Sequence, residues 1–174
     1  IEDNAFYGCK SLTKINIPES VVNIGIYAFG DCVSLTSIVI PSSVTSLGTG
    51  VFRGCESLRS ITLSENITKI NDSTFYGCKS LQTITIPNNV VEIDRSAFAY
   101  SGITTVNFNE NSKLTTLGSN VFEYCNKLTN IKLPSCITEV PYRAFYNAKN
   151  LVSVSLPEGV TSIGQEAFYN CYML

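Results

Sequence analysis

The sequence predicts a solenoid of the α/β class, about seven to eight units of 23 residues with a parallel sheet on one face. Two observations carry this expectation. Phenylalanine recurs at Phe6, Phe29, Phe52, Phe75, Phe98, Phe122, Phe145 and Phe168, every interval being 23 residues except one of 24. A period of that length marks one supersecondary piece that cannot bury its own apolar face, so each unit must stack on its neighbours. Between successive phenylalanines, apolar residues fall at the first, fourth and sixth places of a short segment, as in Leu12, Ile15, Ile17 and Leu35, Ile38, Ile40. Alternation with a period of two is the pattern of a strand with one buried face.

The strands are expected near 12 to 17, 35 to 40, 58 to 63, 81 to 86, 103 to 108, 128 to 133 and 151 to 156. Stacked in parallel at about 4.8 Å each, they would extend over roughly 30 Å. Pro18, Pro41, Pro87, Pro134 and Pro157 follow their strands, where a residue without an N–H ends the ladder. A second short extended stretch comes next, as in Val44-Thr45-Ser46-Leu47. Gly25, Gly48, Gly118 and Gly164 then suit sharp bends at positive φ. The run from Ala28 to Cys32 is too short for an independent helix, which leaves one α or 3₁₀ turn docked by its phenylalanine. Burying that ring is worth about 2 kcal/mol per repeat. One unit departs from the pattern. Its loop Ala99-Tyr100-Ser101-Gly102 is one residue short before Ile103, and the stretch from Asn107 to Lys113 carries two extra residues. Loops off a solenoid core tolerate such changes cheaply, so both are expected to be inert.

Units of the form Leu-x-x-Ile-x-Ile-Pro, Val-x-x-Ile-Gly, Ala-Phe-x-x-Cys resemble the leucine-rich repeats of the BspA-like, or Treponema pallidum type, family over essentially the whole chain. The resemblance implies a single leucine-rich-repeat domain over residues 1–174. It also implies an extracellular or cell-surface location and an adhesin-like role in attachment to host matrix proteins and cells. Ile1 aligns with Ile24 and Leu174 with Leu151, so the chain opens and closes within a unit, as expected of a segment from a longer array.

Composition narrows the chemistry. A net charge of −2 and a pI near 5.1 give no electrostatic footprint for nucleic acid or an anionic membrane. No apolar run is long enough for direct membrane insertion, and no signal peptide opens the chain. The chain has no histidine, which excludes Ser-His-Asp and Cys-His catalysis and a histidine metal centre within it. Gly48-Thr49-Gly50-Val51-Phe52-Arg53-Gly54 has the wrong spacing for a phosphate loop, and two of its members are core positions. No enzyme activity, metal or other cofactor is therefore expected. Cys9, Cys32, Cys55, Cys78, Cys125 and Cys171 share the third place after the phenylalanine with Ser101 and Ala148. That place asks for a small buried residue, and the thiols are expected to be free. Cys136 lies outside this column and should be accessible. Two sequons begin at Asn66 and Asn71; they matter only on a eukaryotic secretory route.

The residues between the inward-pointing ones form the outer face of the sheet, expected to be concave. Of its 21 positions, eight are threonine, four serine and three asparagine, and the charges are Lys14, Arg59 and Lys132, with none of the 14 acids. Lys14, Asn16, Arg59, Thr62, Gln82, Thr85, Asn107, Asn130 and Lys132 are the candidate ligand-binding residues. They offer neutral hydrogen-bonding groups on a rigid scaffold, suited to a host or cell-surface protein or a glycan. Threonine also favours strands for its own sake, so a structural spacer with no ligand of its own is the alternative. Tyr7, Tyr76, Tyr146 and Tyr169 follow their phenylalanines on the opposite side, where rings can pack on the next repeat with the hydroxyl in water. Oligomeric state is open.

Overall fold

A computed structural model describes all 174 residues. Thirteen short strands, β1 to β13 in chain order, alternate between two sides of a coil. The even-numbered strands are β2 (Ser37–Val39), β4 (Ser60–Thr62), β6 (Thr83–Ile86), β8 (Thr105–Phe108), β10 (Asn130–Lys132) and β12 (Ser153–Ser155). The odd-numbered ones are two-residue strands: β1 (Asn23–Ile24), β3 (Ser46–Leu47), β5 (Lys69–Ile70), β7 (Glu92–Ile93), β9 (Thr116–Leu117), β11 (Glu139–Val140) and β13 (Ser162–Ile163). Pairing is parallel, one coil to the next, with Ile38 opposite Ile61, Ile84 opposite Val106 and Ile93 opposite Leu117.

The architecture is a parallel β-solenoid of about six turns, not an α/β solenoid of seven to eight units. The segment at 12 to 17 forms no strand, its backbone link being one bond from Thr36 N–H to the Thr13 carbonyl at 3.1 Å. The second extended stretch is a ladder in its own right, so strands line two sides rather than one.

No helix forms at the phenylalanine, and the backbone shows why. The residues two before and two after every phenylalanine have positive φ, as at Tyr27 and Asp31, Gly50 and Gly54, or Arg143 and Asn147. A left-handed residue interrupts a right-handed helical run. Each phenylalanine instead sits between two four-residue turns, closed for Phe29 by Ala28 N–H to the Gly25 carbonyl and Cys32 N–H to the Phe29 carbonyl, both at 3.3 Å. Twelve of these residues are not glycine, each at a cost of about 1 kcal/mol or more. The turns gain inter-coil bonds in return: Phe29, Phe52 and Phe75 donate to the carbonyls of Val51, Thr74 and Ala97 at 3.0, 3.0 and 2.8 Å. Of 94 backbone hydrogen bonds, 83 lie outside the strands, and they include both the bonds that close turns within a coil and those that tie the phenylalanine turns of successive coils together.

One continuous core of 43 buried residues runs the length of the stack. At its centre all eight phenylalanine rings stack in sequence, with centroids 5.1 to 5.8 Å apart and planes within 16°. Offset parallel stacking of this kind adds about 0.5–1.5 kcal/mol per pair beyond burial.

Gly25, Gly48, Gly118 and Gly164 do not have positive φ. A Cβ on Gly48 would lie 2.5 Å from the Gly25 carbonyl carbon, and one on Gly164 2.5 Å from the Tyr142 nitrogen. Glycine serves close approach of successive coils here, not a bend. Asparagines brace the same stack: Asn66, Asn71 and Asn89 donate side-chain N–H groups to the carbonyls of Ser42, Leu47 and Glu65 in the preceding coil. The amides of both sequons are thus already engaged.

Cys32, Cys55, Cys78 and Cys125 are buried free thiols, whereas Cys136 is exposed, as its place in the repeat predicts. Cys9 is exposed as well and Cys171 half-buried, so the column is inward only where coils flank it. Each buried S–H donates to a phenylalanine carbonyl of the previous coil: Phe6, Phe29, Phe52 and Phe98 at 3.1, 3.1, 3.2 and 3.1 Å. Burial pushes Cys55 and Cys125 up to about 12 and Cys32 to about 11, and raises Cys78 as well. Below about pH 8 folded and unfolded states both keep these protons. Above that the unfolded chain loses them first, so stability falls as pH rises toward 12. The urea midpoint should be flat from pH 7 to 8 and lower at pH 10.5. The drop should be smaller in Cys55→Ala/Cys125→Ala; an equal drop there contradicts the assignment.

Candidate binding face

The even-numbered ladder carries Thr62, Thr85, Asn107, Asn130 and Lys132, with Arg59 and Gln82 one residue before β4 and β6, while Lys14 and Asn16 lie in the unpaired segment of the coil before β2. Alternation sends Ile38, Ile84, Val106 and Ile131 into the core and leaves their strand neighbours in water. Lys14, Asn16, Arg59, Thr62, Gln82, Thr85, Asn107, Asn130 and Lys132 are all exposed. They do not converge on one pocket. Lys14 and Asn16 border a hollow of about 430 Å³ with Ser37 and Val39. Thr62 and Thr85 share another of about 310 Å³ with Glu65. Thr85 and Asn107 are register partners whose side chains meet at 3.5 Å. Asn130 donates to the Thr129 hydroxyl at 3.0 Å and accepts from Ser153 at 2.7 Å.

The three cations stand far apart. At about 4.8 Å per coil, Lys14 and Arg59 are roughly 10 Å apart along the stack, and Arg59 and Lys132 roughly 15 Å. None forms an ion pair or a side-chain hydrogen bond within the chain. On the other ladder the one cation is paired: Lys69 meets Glu92 at 3.0 Å and Asp94 at 2.8 Å, and hydrogen bonds to those two carboxylates, Asp94 foremost, raise its pKa. Unlike the cation of that ladder, those of the outer face are all unpaired. Acids are absent from its strands but present at its rim, where Glu110 in the two-residue insertion shares a groove with Lys132.

Two features escaped the sequence reading. The tyrosine row holds three of the four tyrosines expected and two more, while Tyr7 stands apart, edge-on to Tyr27 at 6.3 Å. Tyr76, Tyr100, Tyr124, Tyr146 and Tyr169 form one run with centroids 5.2, 4.6, 6.0 and 5.1 Å apart. Tyr100 and Tyr124 enter from the second place after their phenylalanines and fill the gaps left by Ala99 and Glu123. Arg53 lies over Tyr76 at 5.1 Å and Arg143 over Tyr146 at 4.5 Å. The packing expected of the tyrosines is present. The other feature is a group of cations, Lys79 and Lys127 with Arg59, beside the shortened loop. The signal for it was the missing residue before Ile103.

The sequence matches the family described as BspA type leucine rich repeat region, in six copies over residues 1–114 and 102–174. A T. pallidum leucine rich repeat protein, TpLRR, is 31% identical with a TM-score of 0.83, over 94% of this chain and 75% of its own. A leucine rich cell surface protein from Faecalibacterium prausnitzii is also 31% identical, with a TM-score of 0.58 over 83% of this chain and 32% of its own. The pneumococcal vaccine antigen PcpA, 20% identical, shares the fold, with a TM-score of 0.70 over 97% of this chain and 51% of its own. Among curated proteins no sequence matches the chain. No helix is long and apolar enough to cross a membrane.

Proposed function

Because the chain belongs to the BspA-type leucine-rich repeat family, whose repeats are binding or structural scaffolds, we propose that it is a non-enzymatic, adhesin-like binding module. Its ligand is a protein or glycan at a cell surface or in the extracellular matrix, and its binding side is the even-numbered ladder. The carrying observation is that the nine candidate residues all stand in water on a preordered face whose charges are unpaired cations. A rigid face loses little entropy on association, and unpaired cations draw in acidic partners without first breaking an internal pair. The relatives described as a cell surface protein and a vaccine antigen support the location.

The test is binding of the purified chain to a panel of matrix proteins, cells and glycans, alongside Lys14→Glu/Arg59→Glu/Lys132→Glu. Saturable binding that falls more than tenfold in the variant is expected. Binding unchanged in the variant moves the site to the tyrosine side, and no binding at all favours a spacer.

A further inference from the structure

We propose that the notch beside the shortened loop is a binding site for an acidic polysaccharide, held by Arg59, Lys79 and Lys127. The proposal deepens the reading above, giving the ligand a chemistry and a place. The hollow measures about 380 Å³ and is lined by Arg59, Lys79, Ser80, Gln82 and Lys127, with no apolar side chain. Its origin is the missing residue. Other coils carry two residues between the buried small residue and the first strand leucine, such as Lys79-Ser80 and Asn126-Lys127, but this one carries Gly102 alone. Gly102 N–H donates to the Cys78 carbonyl at 3.1 Å, and an added Cβ would run into the Lys79 carbonyl oxygen. The short coil is thus drawn in against the one before it. Residues from the coils on either side line a hollow to which it contributes none.

Two of the three charges inside are uncompensated. Arg59 and Lys127 are exposed, and neither side chain has a partner in the chain. Lys79 is held by Glu56 at 2.7 Å, but Glu56 lines the neighbouring groove with Tyr76 and Tyr100, not the notch. Arg59 and Lys127 lie three coils apart, about 14 Å along the stack. A lone oxyanion cannot span that distance, whereas a chain of regularly spaced anions can. A peptide interface draws on buried aromatic or aliphatic anchors, and the notch has none. Ser80 and Gln82 instead offer neutral donors and acceptors matched to sugar hydroxyls.

The experiment measures binding of the purified chain to dextran sulfate, polygalacturonate, uncharged dextran and poly-glutamate. It compares Arg59→Gln/Lys127→Gln with Lys10→Gln/Arg95→Gln, which removes the same charge elsewhere, after urea midpoints show both folded. The expected result is saturable binding of one or both acidic polysaccharides and none of dextran. That binding should be about tenfold weaker in the notch variant and within twofold of wild type in the other. The two acidic probes separate sulfate from carboxylate as the recognised group. Equal losses in both variants, tighter binding of poly-glutamate, or no polysaccharide binding each overturn the proposal. If a panel protein binds the face while no polysaccharide does, the notch fails alone; if nothing binds, the binding-module reading fails with it.

Discussion

Phe75→Ala should lower the unfolding free energy by about 3–5 kcal/mol, read as a fall in the urea midpoint at constant slope. Phe75 is fully buried, and its ring lies 5.8 Å from Phe52 and 5.3 Å from Phe98. Truncation therefore opens a cavity in the middle of the stack and removes two ring contacts at once. The backbone around it cannot collapse to fill the space, because Phe75 N–H is tied to the Ala97 carbonyl at 2.8 Å. Stability in a stacked array is roughly a sum of neighbour terms, so weakening two adjacent interfaces lowers the stability of the whole stack. Phe75→Leu, which keeps most of the volume, should cost about 1–1.5 kcal/mol. A loss below 1 kcal/mol in Phe75→Ala would show that the ring column is not the main source of cohesion.

Gly48→Ala should cost about 3 kcal/mol, at the upper end for overpacking, although alanine favours most backbone conformations over glycine. The added Cβ would sit 2.5 Å from both the Gly25 carbonyl carbon and the Ile26 nitrogen, and those are backbone atoms that cannot rotate away. The same column holds Asn71, Asp94 and Pro141 in other turns, so the fold survives and the cost is a local displacement of one coil. Gly8→Ala is the contrast, since nothing lies within 4 Å of its added Cβ but its φ is +68°. Its cost should be the left-handed penalty alone, about 1–2 kcal/mol. Comparing the two urea midpoints checks both; equal losses would mean that coil spacing does not depend on glycine.

These two glycines show where the sequence was legible and where it was not. The phenylalanine period, the alternation in 35 to 40 or 81 to 86, and the prolines after them each have one physical cause, so stacking, inward faces and strand ends could be read directly. A glycine has two causes, free φ and close approach, and Gly48 answers to the second. The helical turn was misread because the two left-handed places are filled by residues as different as Asn4, Tyr27, Ser73, Arg143 and Glu166. That conformation is imposed by coil-to-coil bonds, and no local preference announces it. The exposure of Lys14, Thr85 and Lys132 followed from strand alternation. The notch did not, because it depends on the lengths of three coils compared with one another, and Lys127 looks like any loop lysine until Gly102 is seen to recede.

The most direct test of the division between a repeated, structural interior and a non-repeated, functional face is to measure stability and affinity on the same two variants. Lys14→Glu/Arg59→Glu/Lys132→Glu should keep its urea midpoint to within about 0.5 kcal/mol and lose more than tenfold in affinity for the tightest ligand of the panel. Phe75→Leu should do the reverse, losing stability and keeping affinity within twofold while folded. Affinity that follows stability in both variants, or survives reversal of the three face charges, would contradict the account.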